Sequence, residues 1–112
     1  MYRRGSKANL LINGKPVGVV VVQGLDDSWA HGSFTPEPAT FAEFAPLFGR
    51  WSLLMHADDG DARLSPAASE ELREAEYALD ALKAELVFHE TDEKRRCAQI
   101  NIDGGLVEWK EY

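Results

Sequence analysis

ANLLINGKPVGVVVVQG, residues 8–24, consists of two apolar runs separated by Asn13-Gly14. Asn-Gly is a strong signal for a two-residue β-hairpin, because both residues tolerate the positive φ of a type I′ turn. Residues 19–22 are four consecutive valines, and a strand without polar alternation is typical of the middle of a sheet. The stretch therefore predicts that a β-hairpin opens the fold.

SWAHGSFTP, residues 28–36, predicts a third strand that Pro36 ends. Side chains alternate between the two faces of a strand, so Trp29 and Phe34 point to opposite faces unless Gly32 marks a bulge. His31 shares the face of Trp29. We interpret it as a packed or half-exposed imidazole of the sheet.

From Thr40 onward the apolar period changes to that of a helix. Its apolar stripe is rich in aromatic residues and should supply much of the core; it comprises Phe41, Phe44, Leu47, Phe48, Trp51, Leu54 and Met55. Pro46 interrupts this pattern, which predicts either a kink or a fresh helix with Pro46 in its first turn. We predict that Trp29 or Phe34 packs against Phe44, Phe48 and Trp51 of this stripe.

Ser65-Pro66 predicts the start of a second, long helix, with serine as the N-cap and proline at the first helical position. Its apolar stripe is formed by Leu72, Ala75, Leu79, Leu82 and Leu86. Residues 86–90 fit either the end of this helix or the start of a strand.

CAQINID and LVEWKEY, residues 97–103 and 106–112, predict a C-terminal hairpin around Gly104-Gly105. The fold class that follows is α+β. We predict one domain over residues 1–112. Its antiparallel sheet is built from an N-terminal three-strand meander and the C-terminal hairpin, and a two-helix hairpin packs on one face.

Enzyme and cofactor signatures are missing from the sequence. It contains no nucleotide-binding glycine motif, no paired-histidine zinc motif and no nucleophile elbow. The three histidines are His31, His56 and His89, which are far apart in the chain, and Cys97 is the single cysteine. We therefore expect no cofactor, no metal and no catalytic residue.

Charge is unevenly distributed along the chain, whose net charge is −7. Residues 58–85 hold nine acids and three bases, whereas Arg3, Arg4, Lys7 and Lys15 form a basic N-terminal cluster and residues 94–96 a second one. An acidic chain is repelled by phosphate, so nucleic acid is not expected as a partner. The separation of charge indicates self-association or a charged protein partner.

The second predicted helix carries a further apolar patch opposite its leucine stripe. This patch consists of Tyr77, Ala81 and Ala84, with a rim of Glu70, Glu74 and Glu85. An aromatic side chain ringed by charge is typical of a protein contact surface. The patch predicts binding to another protein or to a second copy of the chain.

The spacing W-x-x-G-x-F-x-P in Trp29, Gly32, Phe34 and Pro36, followed by two phenylalanines and two helices, resembles short bacterial hypothetical proteins. The likeness covers residues 8–55. It implies a bacterial, stand-alone, cytoplasmic chain and no particular activity. Sequence agrees with the cytoplasm, because no apolar run approaches the roughly 18 residues of a membrane span and no secretory signal is present.

Two functions follow. The first is a non-enzymatic interaction module, such as an accessory subunit or an immunity-type inhibitor, that offers an acidic helix face to a basic partner. The alternative is a small enzyme or ligand-binding domain, with His31 or His56 and a carboxylate in a pocket between sheet and helices. A deep pocket with His31 beside a carboxylate would favour the alternative, and a filled core would favour the module.

Overall fold

The computed structural model describes residues 4–26, 28–58 and 65–111, with backbone alone at residues 26 and 56–58. This part of the chain forms six strands and three helices in the order βββαααβββ. The strands are β1 (Lys7–Ile12), β2 (Lys15–Asp26), β3 (Trp29–Pro36), β4 (Ala84–Phe88), β5 (Lys94–Asp103) and β6 (Leu106–Glu111). The helices are α1 (Pro38–Phe41), α2 (Ala45–Asp58) and α3 (Pro66–Asp80).

All strand pairs are antiparallel, and the strands close into a barrel in the order β1-β2-β3-β6-β5-β4. The predicted α+β class and antiparallel pairing are confirmed. The predicted open sheet of five strands is wrong, because β4 pairs with β1 on one side and β5 on the other and so joins the two edges.

Both predicted hairpins are present. Asn13 and Gly14 adopt φ of 53° and 80°, which allow the tight connection between β1 and β2. Gly104, with φ of 61°, begins the two-residue turn between the paired Asp103 and Leu106. The sheet register at both ends of the chain is therefore set by turn chemistry.

The barrel interior is filled by side chains. Alternate residues of every strand point inward, and Trp109 has no exposed surface at all. The buried apolar residues of the strands are Ala8, Leu10, Ile12, Val17, Val20, Val22, Ala30, Phe34, Ala84, Leu86, Phe88, Cys97, Ile100, Ile102, Val107 and Trp109. Apolar side chains therefore occupy the interior that the described strands enclose.

β3 keeps a regular alternation, with Ala30, Gly32 and Phe34 buried. The bulge that the sequence suggested at Gly32 lies instead on the facing strand, where the pairing shifts between Val22 and Gly24. Trp29 and Phe34 thus point to opposite faces.

α2 begins at Ala45, so Pro46 lies in its first turn and the fresh start is confirmed. The rings of Phe34 and Phe41 meet edge to face with centroids 5.2 Å apart, and those of Phe41 and Phe48 stack at 6.1 Å. Phe34 of β3 thus contacts Phe41, which was not among the predicted partners, and it shares one buried cluster with the predicted Phe44 and Phe48. α2 and α3 pack against each other and against β5, and α1 packs against β2.

α3 ends at Asp80, earlier than its leucine spacing predicts. Leu86, predicted as a helix residue, is a buried residue of β4. Residues 84–88 repeat their apolar side chains at every second position, and pairing to β1 and β5 satisfies their backbone groups. None of the helices in the described ranges is both long enough and apolar enough to cross a membrane.

Candidate functional site

α3 presents the surface that the sequence singled out. The side chain of Ser65 accepts a hydrogen bond from the Ala68 N–H at 3.1 Å and so caps the helix, as predicted. Ala75 and Leu79 are buried and fix the inner side of the helix. Since side chains repeat every 3.6 residues, this packing determines which residues face outward.

The outer side of α3 carries Tyr77, whose side chain is 80% exposed. Glu70, Glu74 and Ala81 lie within one or two turns of Tyr77 at spacings of three, four and seven, and all are exposed. We call these four residues the Tyr77 face. It is directed away from the buried side of α3 and therefore away from the barrel.

Two residues of the predicted patch lie elsewhere. Ala84 is 5% exposed and faces the barrel interior from β4. Glu85 is half-buried on the outside of β4, where its strand neighbour is Arg96. Placing Ala84 and Glu85 on the helix face was wrong, because the chain leaves the helix after Asp80 and changes to the two-residue period of a strand.

The electrostatics of α3 are strongly acidic, with five carboxylates and one guanidinium between residues 66 and 80. Arg73 pairs with Glu70 at 3.1 Å, and Arg50 of α2 lies 3.9 Å from Glu71. Among the described residues, no cation lies within ion-pair distance of Glu74, Glu76 or Asp80. Glu70 beside the exposed tyrosine is thus paired with Arg73, which lies four residues before Tyr77 on the same side of the helix, whereas Glu74 has no ion-pair partner among the described residues.

A second charged surface, which the sequence analysis did not assign, lies on the outside of β5, β4, β1 and β2. Lys7, Lys94 and Arg96 are exposed and alternate with inward-facing residues. Cross-strand pairs join them to apolar neighbours, as in Lys94 with Val87 and Lys7 with Val21. We call this the strand face; its members are Lys7, Asn9, Leu11, Val19, Val21, Glu85, Val87, Lys94 and Arg96.

His31 is exposed on the outside of β3, opposite Glu108 of β6. It lines a cleft of about 280 Å³ together with Trp51 and Asn101. The Asn101 side-chain amide donates to Glu108 at 3.1 Å, whereas His31 forms no hydrogen bond or ion pair with a carboxylate of the described residues. Trp51 and Asn101 also line a neighbouring cleft of about 220 Å³.

The His56 side chain, which the sequence offered as a second candidate, lies outside the described residues. Within the described ranges, no group of three histidine, cysteine or acidic side chains is arranged to hold a metal ion.

Cys97 is buried in the barrel. Burial, and to a lesser extent the carboxylates of Glu111 and Glu85, raise the pKa of its thiol to about 12. A thiol that stays protonated at neutral pH is a poor nucleophile and a poor metal ligand.

Comparison with protein-family models, with curated proteins and with solved structures finds no match for this chain. The resemblance to short bacterial proteins, drawn from the spacing of Trp29, Gly32, Phe34 and Pro36, stays a prediction. Function must be argued from the surfaces described above.

The sequence pattern was sufficient to find the Tyr77 face but not the strand face. The signal for the latter is the strand period: Lys94 and Arg96 occupy alternate positions, as do Glu85 and Val87. That signal is readable only once residues 84–88 are assigned to a strand, because a helix would scatter the same residues around its axis.

Proposed function

We propose that this chain is a non-enzymatic, cytoplasmic protein-interaction module, of the accessory or immunity type, that binds a basic protein partner through the Tyr77 face. The observation that carries the proposal is Tyr77 itself, an aromatic side chain 80% exposed among carboxylates. Aromatic side chains supply much of the binding energy in protein interfaces, and charges around them set orientation and association rate.

The filled barrel supports a binding role over catalysis. Its interior is occupied by buried apolar side chains, and the two clefts that Trp51 and Asn101 line lie on the outside of the barrel. A larger cleft of about 760 Å³ lies near the end of α3 and reaches Ala84 and Cys97, but His31 does not line it. A carboxylate within about 3 Å of the imidazole would orient His31 for acid–base catalysis. His31 is exposed and has no such carboxylate partner among the described residues.

The alternative function, ligand binding in the His31 cleft, has one supporting observation. Trp51 and Asn101 line both neighbouring clefts, so a ligand there would meet an aromatic ring and an amide oriented by Glu108. If this function is correct, His31→Asn should weaken binding of a small ligand found by NMR screening. If the module is correct, His31→Asn should leave association through the Tyr77 face unchanged.

Site-specific photo-crosslinking tests the module directly. p-Benzoylphenylalanine in place of Tyr77 should give a discrete adduct with a protein in the cell that makes this chain. The matched control places the same photoreactive residue at Leu53, which is 73% exposed on α2 and should give no such adduct. Glu70→Lys combined with Glu74→Lys should suppress the adduct. Equal yields at the two positions, or an adduct insensitive to those charges, would refute the proposed function.

A further inference from the structure

The strand face covers the outer surface of β2, β1, β4 and the first residues of β5, neighbouring strands of the barrel. These helices pack on β5 and line clefts with outward residues of β3, β5 and β6, such as Trp29 and Glu108. In the ring of strands, β1 lies three strands from β6 in either direction. The strand face is centred on β1 and β4. At one end, Glu85 and Arg96 border a cleft that Asp80 and Ala81 at the end of α3 also line.

The strand face also has the composition of a contact surface. Half-buried apolar residues on four neighbouring strands form its centre: Leu11, Val19, Val21 and Val87. Exposed cations at its edges are Lys7, Lys94 and Arg96. Glu85 is the acid within it and faces its strand neighbour Arg96, so the net charge of the face is positive. Glu90 and Asp92, in the turn after β4, bound it at one end.

The Tyr77 face is complementary in charge to the strand face. Exposed carboxylates of α3, including Glu74 and Asp80, have no cation partner among the described residues. The exposed cations Lys7 and Lys94 likewise form no ion pair with a described carboxylate. Both sets of charges would be neutralised if one copy placed its Tyr77 face on the strand face of the next.

We infer that the partner of the Tyr77 face is a second copy of this chain, bound head to tail through its positively charged strand face. This inference rests on the proposed function of the Tyr77 face. Tyr77 of one copy packs on Val21 and Val87 of the next, and the glutamates around Tyr77 face Lys7 and Lys94. Because the two contacting surfaces differ, a dimer still exposes one free Tyr77 face and one free strand face, and association continues into a ring or a chain.

Mixing two variants tests this inference by sedimentation velocity. The first variant, Tyr77→Ser with Glu74→Lys, has a disabled helix surface but an intact strand face. The second, Lys7→Glu with Lys94→Glu, has the reverse. Wild-type protein should form progressively larger species as its concentration rises. Each variant alone should associate at least about tenfold more weakly. Their equimolar mixture should form a dimer and no larger species, because the dimer has no competent surface left.

Two controls make the result specific. Lys110→Glu makes the same charge change on β6, on the helix side of the barrel, and should not alter association. Raising the salt concentration to about 1 M should weaken the wild-type assembly, because the Debye length falls to about 3 Å. If the charge reversals disturb folding, as judged by circular dichroism, Lys7→Gln with Lys94→Gln serves as a milder second variant.

The outcomes separate this inference from the proposed function. A wild-type chain that is monomeric at all concentrations, but whose position 77 crosslinks to a different protein, overturns head-to-tail association and leaves the module standing. A monomeric chain without any adduct at position 77 overturns both. If the wild-type chain associates but the mixture of the two variants forms no dimer, then the contact uses the same surface on both copies. This outcome also overturns the inference.

Discussion

Phe48 provides the most direct measure of how much the aromatic helix contributes to stability. Its side chain is 2% exposed, and its ring stacks at 6.1 Å on Phe41, which in turn meets Phe34. Returning a buried phenylalanine to water costs about 1.5–3 kcal/mol, and an aromatic contact adds about 0.5–1.5 kcal/mol. The cavity left by Phe48→Ala adds more, so we expect the free energy of unfolding to fall by about 3–5 kcal/mol.

The assay is urea unfolding at 25 °C, followed in parallel by tryptophan fluorescence and far-ultraviolet circular dichroism. Coincident transitions and an unchanged dependence on urea would justify a two-state treatment. The control is Leu53→Ala in the same helix. Leu53 is 73% exposed, so its truncation should change the free energy of unfolding by no more than about 0.5 kcal/mol.

A loss below about 1 kcal/mol for Phe48→Ala, or one equal to that of Leu53→Ala, would refute the reasoning. It would mean that the phenylalanine stripe of α2 is not part of the core, and that its rings are available to a ligand or partner. The packing of α2 on the barrel would then need a different explanation.

Three further predictions concern the barrel. Gly32→Ala would bring a Cβ into steric clash with the carbonyl oxygen of Val21, so denaturation should show a loss of at least about 2 kcal/mol. Gly49→Ala meets nothing within 4 Å and should stabilise α2 by about 0.5–1 kcal/mol. Equal effects of the two substitutions would argue against the close approach of the Val21 carbonyl to Gly32. Cys97 should react with iodoacetamide at pH 8 about a thousandfold more slowly in the folded chain than in urea. Folding raises the pKa of this thiol from 9.0 to about 12. The contribution of the thiol to stability should therefore be complete below pH 9 and be lost between about pH 9 and 12. Rapid labelling of the native protein by iodoacetamide would contradict the burial of Cys97. Asn13→Ala removes a residue suited to φ of 53° and also the side-chain oxygen that accepts from the backbone N–H just before β4. Thermal and chemical denaturation should therefore report a fall of about 1–2 kcal/mol in the free energy of unfolding. No change would mean that the turn does not hold β4.

Local signals predicted the elements at both ends of the chain. Asn13-Gly14 and Gly104-Gly105 carry their turn preference in the dipeptide itself, and the register follows from the turn. The start of α2 at Ala45 follows from Pro46, which is compatible with a first turn and incompatible with a helix interior.

Barrel closure was not predictable in the same way. Residues 79–88 satisfy both the helical spacing of Leu79, Leu82 and Leu86 and the strand spacing of Ala84, Leu86 and Phe88. The choice between them depends on pairing with β1, which is distant in sequence, and such pairing overrides local preference. One third of the candidate site was affected, because two of its six residues, Ala84 and Glu85, lie in β4 and not on the helix face.

The surface of α3 was easier to predict than its length. Tyr77, Glu70, Glu74 and Ala81 lie within two turns of one another, so their common face follows from helical geometry alone. The strand face requires knowledge of which strands are neighbours. Lys7 and Lys94 come together only through the pairing of β1 with β4 and of β4 with β5.

The seam between β1 and β4 has a consequence for synthesis of the chain on the ribosome. Ala8 pairs with Phe88, so the first strand must wait for 80 further residues before its second neighbour exists. During that interval β1 is the outer strand of a growing meander, with unpaired N–H and C=O groups that attract other strands. Contacts of such long range also slow folding. Lys7 and Asn9, on its outward side, are residues of the kind that discourage intermolecular pairing, and in the nascent chain they protect a strand edge that the finished barrel no longer has.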